Sequence, residues 1–205
     1  MEKLAIVVPC YNEEEVLKIA SEVNPSYDYD FASEMMERFE LDGKKKFNHL
    51  SLGMKTMVST IICLASSKDV ILLDEPVLGF DAIMRVEFYD MLTESFKKHP
   101  RIIIVSTHII EDVQSVCDQI VVIHQGRILF AGTPEALIQT AAGHVGVFWE
   151  RDAAQEQGLP ITARVNTSRG VRCRAVTEVL PAYAQPEEPT LEDAYLYLIS
   201  REAVQ

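Results

Sequence analysis

Residues Val70 to Pro76 read Val-Ile-Leu-Leu-Asp-Glu-Pro, and this stretch decides the fold class. Four apolar residues predict a short buried strand, and two adjacent acids, Asp74 and Glu75, stand at its exit. A pair of this kind can divide two jobs in phosphoryl transfer. Asp74 would hold Mg²⁺ and Glu75 would polarise the water that attacks a γ-phosphate. An apolar strand that ends in a solvated acidic turn has the same local pattern, so the flanking segments must decide.

Upstream, Leu50-Ser51-Leu52-Gly53-Met54 opens an apolar run through Ala65. Ser51 is a good N-cap and Gly53 permits close backbone approach, so the run reads as a buried helix. Its start suits phosphate, or is simply the capped end of a core helix. Downstream, Val77 to Asp81 reads as a turn, Ala82 to about Lys98 as a helix, and Arg101 to Val105 as a second buried strand. Ser106-Thr107-His108 follows that strand directly. Two strands that deliver polar residues to their carboxyl ends match the ligand crevice of a parallel α/β sheet.

These segments, in this order and spacing, resemble the ATP-binding subunit of ABC transporters. LSLGM is similar to the family signature, VILLDEP to Walker B, LGFD to the D-loop and STH to the H-loop. Asp118 to Phe130 resembles the late hairpin, and Gly132 to Glu135 opens the helix after it. Leu52 stands where the signature usually has glycine, a variant similar to the subgroup that works with ABC-2-type permeases in drug or envelope-stress export. The likeness runs from about Asn24 to Thr140. It implies ATP and Mg²⁺ as cofactors, Glu75 as base, Asp74 as metal ligand and His108 at the γ-phosphate. It also implies nucleotide contacts from Ser51, Gly53, Met54 and Asp81 toward a second ATPase subunit, in a homo- or heterodimer. A transmembrane permease would be the further partner, with the chain cytoplasmic and peripheral to the inner face of the membrane.

One part of the pattern is missing. No G-x-x-x-x-G-K-[ST] occurs: the Gly43-Lys44 pair has Arg38 where the first glycine belongs, and Lys45 follows it. Without that loop no backbone cradle or lysine meets the β- and γ-phosphates. No glutamine precedes Gln114, so the family's Q-loop contact is absent as well. The first seventeen residues instead resemble the start of a family 2 glycosyltransferase: a strand from Leu4 to Val8, a Pro-Cys-Tyr-Asn turn, then Glu13 to Glu15 at a helix start. Asp28-Tyr29-Asp30 has the metal-binding D-x-D form of such enzymes, but fits better as the start of a helix over Phe31 to Phe39. We therefore expect three parts: a glycosyltransferase-like segment over 1–20, a partial ABC ATPase domain over 21–140, and an extension over 141–205. A junction near Leu17 to Ser21 would make the chain a truncated ATPase, inactive alone. A non-catalytic donor of the signature to an intact partner is the alternative, with sugar-nucleotide transfer a remote third.

Composition sets outer bounds. The 205 residues suffice for one sizeable core, and 48% hydrophobic content is that of a globular protein. No apolar run reaches the length that spans a bilayer. A net charge of −12, from 31 acids and 19 bases, argues against nucleic acid as a partner. Lys44 to Lys46 is the one basic cluster, either steering nucleotide or lying on a solvated turn. Four scattered cysteines without C-x-x-C point to reduced structural thiols. After Thr140, strands are expected over 144–150, 161–165 and 171–177, then a helix over 191–199 capped by Thr190. The fold class expected is α/β, a mainly parallel sheet with flanking helices, plus a small α+β carboxyl-terminal extension. The strand from Leu4 to Val8 would add to that sheet, which otherwise has an open edge.

Overall fold

A computed structural model describes residues 17–18, 20–22, 24–41, 49–110, 114–153 and 160–202. The expected strand over Leu4 to Val8, the acids Glu13 to Glu15 and the lysines Lys44 to Lys46 lie outside the described residues. The chain divides into two compact units, residues 1–108 and 109–205.

In the first unit, helix α1 spans Tyr29–Arg38, α2 spans Leu52–Ala65 and α3 spans Ala82–Lys98. Each starts on a side-chain cap. Asp28 accepts from the Phe31 amide, Ser51 from Met54 and Asp81 from Met84, which satisfies donors that a helix start leaves unpaired. Helix α1 buries Phe31, Ala32, Met35 and Met36, a stripe at helical spacing. Helix α2 is apolar on most sides, with Met57, Val58, Ile61 and Leu64 fully buried. Its C-terminal carbonyls are taken by the segment that enters α1: the Asp28 amide donates to Ala65 O at 2.8 Å and Asn24 Nδ2 to Ser66 O at 2.7 Å. Phe88 of α3 sits at the centre, edge-on to Phe80 and Tyr89 at 5.6 and 5.4 Å between ring centroids.

Strands β1, Val70–Asp74, and β2, Ile102–Ser106, pair in parallel, with Val70 opposite Ile102 and Asp74 opposite Ser106. Helix α3 is the crossover that a parallel pair requires. The expectation that β1 and β2 are buried strands is corrected here. Ile71 and Leu73 are buried, but Val70 is 51% and Leu72 71% exposed, and Ile102 and Ile104 share that open face. A continuous apolar run promises two covered faces; among the described residues only one is covered.

The second unit holds strands β3, Ile120–His124, and β4, Arg127–Gly132, an antiparallel hairpin. Helix α4 follows over Pro134–Gln139, capped by Thr133 with proline in its first turn. Strand β5 covers Val145–Trp149 and runs into a 3₁₀ turn over Glu150–Ala153. Strands β6, Ile161–Thr167, β7, Gly170–Val176, and β8, Gln185–Pro186, complete an antiparallel sheet in the order β6-β7-β5-β8. Helix α5, Leu191–Glu202, closes the chain. Its core joins Val122, Leu137, Val145, Val176, Leu191 and Tyr197. The fold is thus mixed α/β. The expectation of a mainly parallel sheet is corrected, because β1–β2 is the one parallel pair among the described residues. The extension is antiparallel strands and a helix, and Thr190 does cap α5: its hydroxyl accepts from the Asp193 amide at 3.2 Å.

Candidate functional site

The carboxyl ends of β1 and β2 bring four polar side chains together. Their register sets Asp74 beside Ser106, and the ladder continues one step further as the Glu75 amide donates to Ser106 O at 3.1 Å. That same amide also donates to the Ser106 hydroxyl at 3.1 Å, and the hydroxyl donates to Asp74 Oδ1. Ser106 therefore fixes both acids at once. Glu75 takes a φ of 44°, a left-handed conformation that costs a non-glycine residue about 1–3 kcal/mol. The twist turns its side chain toward His108, whose Nδ1 lies 2.8 Å from Glu75 Oε2. Both are open to solvent, His108 at 66% and Glu75 at 35% side-chain exposure. With Nδ1 donating to the carboxylate, Nε2 is the ring nitrogen left for a ligand.

The second set of predicted residues lies on the start of α2 and the turn after Glu75. Leu78 N donates to Glu75 O and Phe80 N to Val77 O, both at 3.1 Å, so residues 75–80 wind tightly. Gly79, at φ 85°, needs the conformation that glycine adopts freely. This turn packs on the signature-like segment: a Cβ on Gly53 would stand 3.1 Å from Phe80 Cδ1 and 3.2 Å from Gly79 O. Ser51 Oγ accepts from the Met54 amide at 3.2 Å, which leaves its own proton for another acceptor. Asp81 Oδ1 accepts from Met84 at 2.9 Å as the cap of α3. Asp74, Glu75 and His108 thus gather at the strand ends, Ser51, Gly53 and Met54 at the start of α2, and the turn through Asp81 connects the two.

Gly53→Ala should destabilise this unit by about 1–3 kcal/mol, because the added methyl meets a backbone carbonyl that cannot swing aside. Urea denaturation followed by circular dichroism measures it.

Sequence reasoning passed over Ser106, although it stands in the quoted Ser-Thr-His segment. Only the strand register reveals that its hydroxyl bridges both acids. The D-x-D reading of Asp28 to Asp30 finds no support. Asp28 caps α1 and is paired with Lys98 at 2.8 Å and His99 at 3.3 Å. Among the described residues no group of three or more His, Cys, Asp or Glu could hold a metal. Asp74 and Ser106 offer one carboxylate and one hydroxyl. That donor set fits Mg²⁺ when phosphate oxygens and water complete the shell, which is how Mg²⁺ is ordinarily held.

Comparison with known proteins points the same way. The chain is 30% identical over 110 residues to the ABC transporter ATP-binding protein YtrB of Bacillus subtilis, covering 54% of this chain and 38% of that protein. It is 28% identical over 178 residues to the Nod factor export ATP-binding protein I of Paraburkholderia xenovorans, covering 80% of this chain and 58% of that protein. The homology supports an ABC transporter ATP-binding domain. A solved structure of an ATP-binding subunit of an ABC transporter shares the fold, with a TM-score of 0.56 at 24% identity, over 66% of this chain and 58% of that one. No protein-family model matches. The chain spans 38% and 58% of the two relatives' lengths, so the likeness to ABC ATP-binding proteins is to part of each. No helix among the described residues is long and apolar enough to cross a membrane.

Proposed function

We propose that this chain carries the hydrolytic and signature portion of an ABC transporter ATPase, and that it turns over no ATP by itself. The observation that carries the reading is the Asp74–Ser106–Glu75–His108 cluster at the ends of two parallel strands. Glu75 would act as base toward the attacking water. His108, oriented by Glu75, would meet the γ-phosphate through Nε2. Asp74 would hold Mg²⁺ with the triphosphate's own oxygens. Bound Mg²⁺ would neutralise charge on the β- and γ-phosphates. Yet the sequence contains no G-x-x-x-x-G-K-[ST], so the triphosphate has no cradle here.

The portion over 21–140 can still serve a partner. Ser51 lies at the exposed start of α2, with Leu52 61% and Leu78 52% exposed beside it, while Gly53 is buried against the Gly79–Phe80 turn. Apolar side chains around capped amides suit burial against a second ATPase subunit that brings its own nucleotide. The permease, and the cytoplasmic face of the membrane where it would be met, follow from the family likeness alone.

The test uses an intact ABC ATPase whose own signature serine has been replaced, so that its homodimer is inactive. Adding this chain should restore phosphate release, and Ser51→Arg should remove the restored activity. Failure of the folded chain to restore any turnover would sink the signature-donor role.

A further inference from the structure

We propose that the second unit contains a small-molecule site, a cleft between the tip of the β6–β7 hairpin and β5 that takes a planar aromatic carboxylate. The cleft has a volume of about 530 Å³, within the range of small-molecule sites. Its apolar surfaces come from Trp149 and Tyr183, the latter edge-on to Phe148 at 5.5 Å. Its polar groups are Ser168, Arg169, Arg172 and Gln185. No acid lines it.

Charge identifies the ligand as an anion. The chain is strongly acidic, but residues 161–177 carry Arg164, Arg169, Arg172 and Arg174 and no acid at all. Three of these are neutralised. Arg164 pairs with Glu150 at 3.3 Å, Arg172 with Glu187 at 3.2 Å and Arg174 with Asp193 at 2.7 Å. Arg169 has no acidic partner among the described residues. Its backbone is held in place all the same. Thr167 pairs with Gly170 to close a two-residue turn; the Thr167 hydroxyl donates to Gly170 O at 2.8 Å and accepts from the Arg169 amide at 3.2 Å. Arg151 lies over the Trp149 ring, 5.8 Å from its centroid, and Arg169 lines the same cleft without an acidic partner among the described residues. Cations beside flat rings favour a negative charge on a flat body. A guanidinium matches a carboxylate with two parallel hydrogen bonds, and Trp and Tyr faces stack on an aryl group.

Trp149 is the sole tryptophan of the chain, so its emission reports directly on the cleft. The full chain would be titrated with benzoate, with its neutral carboxamide and AMP as parallel arms. The expected result is saturable quenching by the carboxylate with half-saturation below about 1 mM. Arg169→Gln should raise that value at least about tenfold, since it removes a charge-assisted bidentate pair. Amide chemical shifts should move at Ser168, Arg169 and Arg172. No saturable response up to about 10 mM overturns the proposal, that limit being weaker than any useful affinity. So does an equal response to the carboxamide, a stronger response to AMP, indifference to Arg169→Gln, or shifts confined to other strands. None of these outcomes bears on ATP turnover by the first unit.

Discussion

MgATP should be hydrolysed by the purified chain no faster than in buffer, and Glu75→Gln should leave that rate unchanged. Both results are expected because the reactive groups are present and the substrate is not held. Glu75, His108 and Asp74 are tied together by Ser106 and the 2.8 Å Glu75–His108 contact. Phosphoryl transfer asks little covalent chemistry of a protein; positioning and charge stabilisation supply the rate. Positioning alone is worth roughly 7 kcal/mol or more, about five decades, and without a phosphate loop it is forfeited. In a complete site, removing the proposed base would lower turnover steeply; here no turnover is expected in the first place. Phosphate release in a coupled assay checks both statements. Turnover of several per second that Glu75→Gln abolishes would show that the triphosphate is held after all.

Asp193→Ala should cost the second unit about 3–5 kcal/mol, the expected loss when one partner of a buried ion pair is removed. Asp193 is 2% exposed at the first turn of α5. Arg174 reaches it through Nε at 3.0 and 3.1 Å and through Nη2 at 2.7 Å. Thr162 donates to it at 3.2 Å, and Thr190 donates through both its amide and its hydroxyl at 2.8 Å. The alanine variant would leave the mostly buried Arg174 without its bidentate partner. Burial pushes the Asp193 carboxyl upward, but Arg174 and Thr190 outweigh it and hold the group below its ordinary value. The carboxylate therefore binds protons more weakly folded than unfolded. Its stabilisation is present above the unfolded value near 4 and is lost as pH falls through the lower folded value. Urea midpoints across pH 7 to 3 should fall less for the variant than for the parent. Parallel curves would remove Asp193 from the account.

What the sequence disclosed depended on how far apart the cooperating residues lie. The strand, acid pair, turn and capped helix from Ser51 to Asp81 are contiguous, and each appears where its local chemistry places it. The helix over Ala82–Lys98 agrees with its reading as Ala82 to about Lys98. Ser106 was overlooked because its role needs the register of two strands thirty-odd residues apart. Glu75's left-handed backbone has no signature in residue type, since glutamate gives no warning of a positive φ. The open face of Val70, Leu72, Ile102 and Ile104 was misread for a related reason. An apolar run says that a surface can be covered, but not whether the described chain supplies the cover. At α5 the reading was half right: Thr190 does act as the cap. Only the fold shows that Asp193 also turns inward to Arg174, nineteen residues earlier.

The most direct test of the central claim is calorimetry on the purified chain, first with MgATP and then with a Mg-bound uridine sugar nucleotide. The account predicts no heat of binding from either up to millimolar concentration, because the acids and His108 have no phosphate cradle beside them. Micromolar binding of MgATP would contradict it by revealing a cradle that the sequence pattern does not show. Binding of the sugar nucleotide alone would replace the ABC reading with the one suggested by the first seventeen residues.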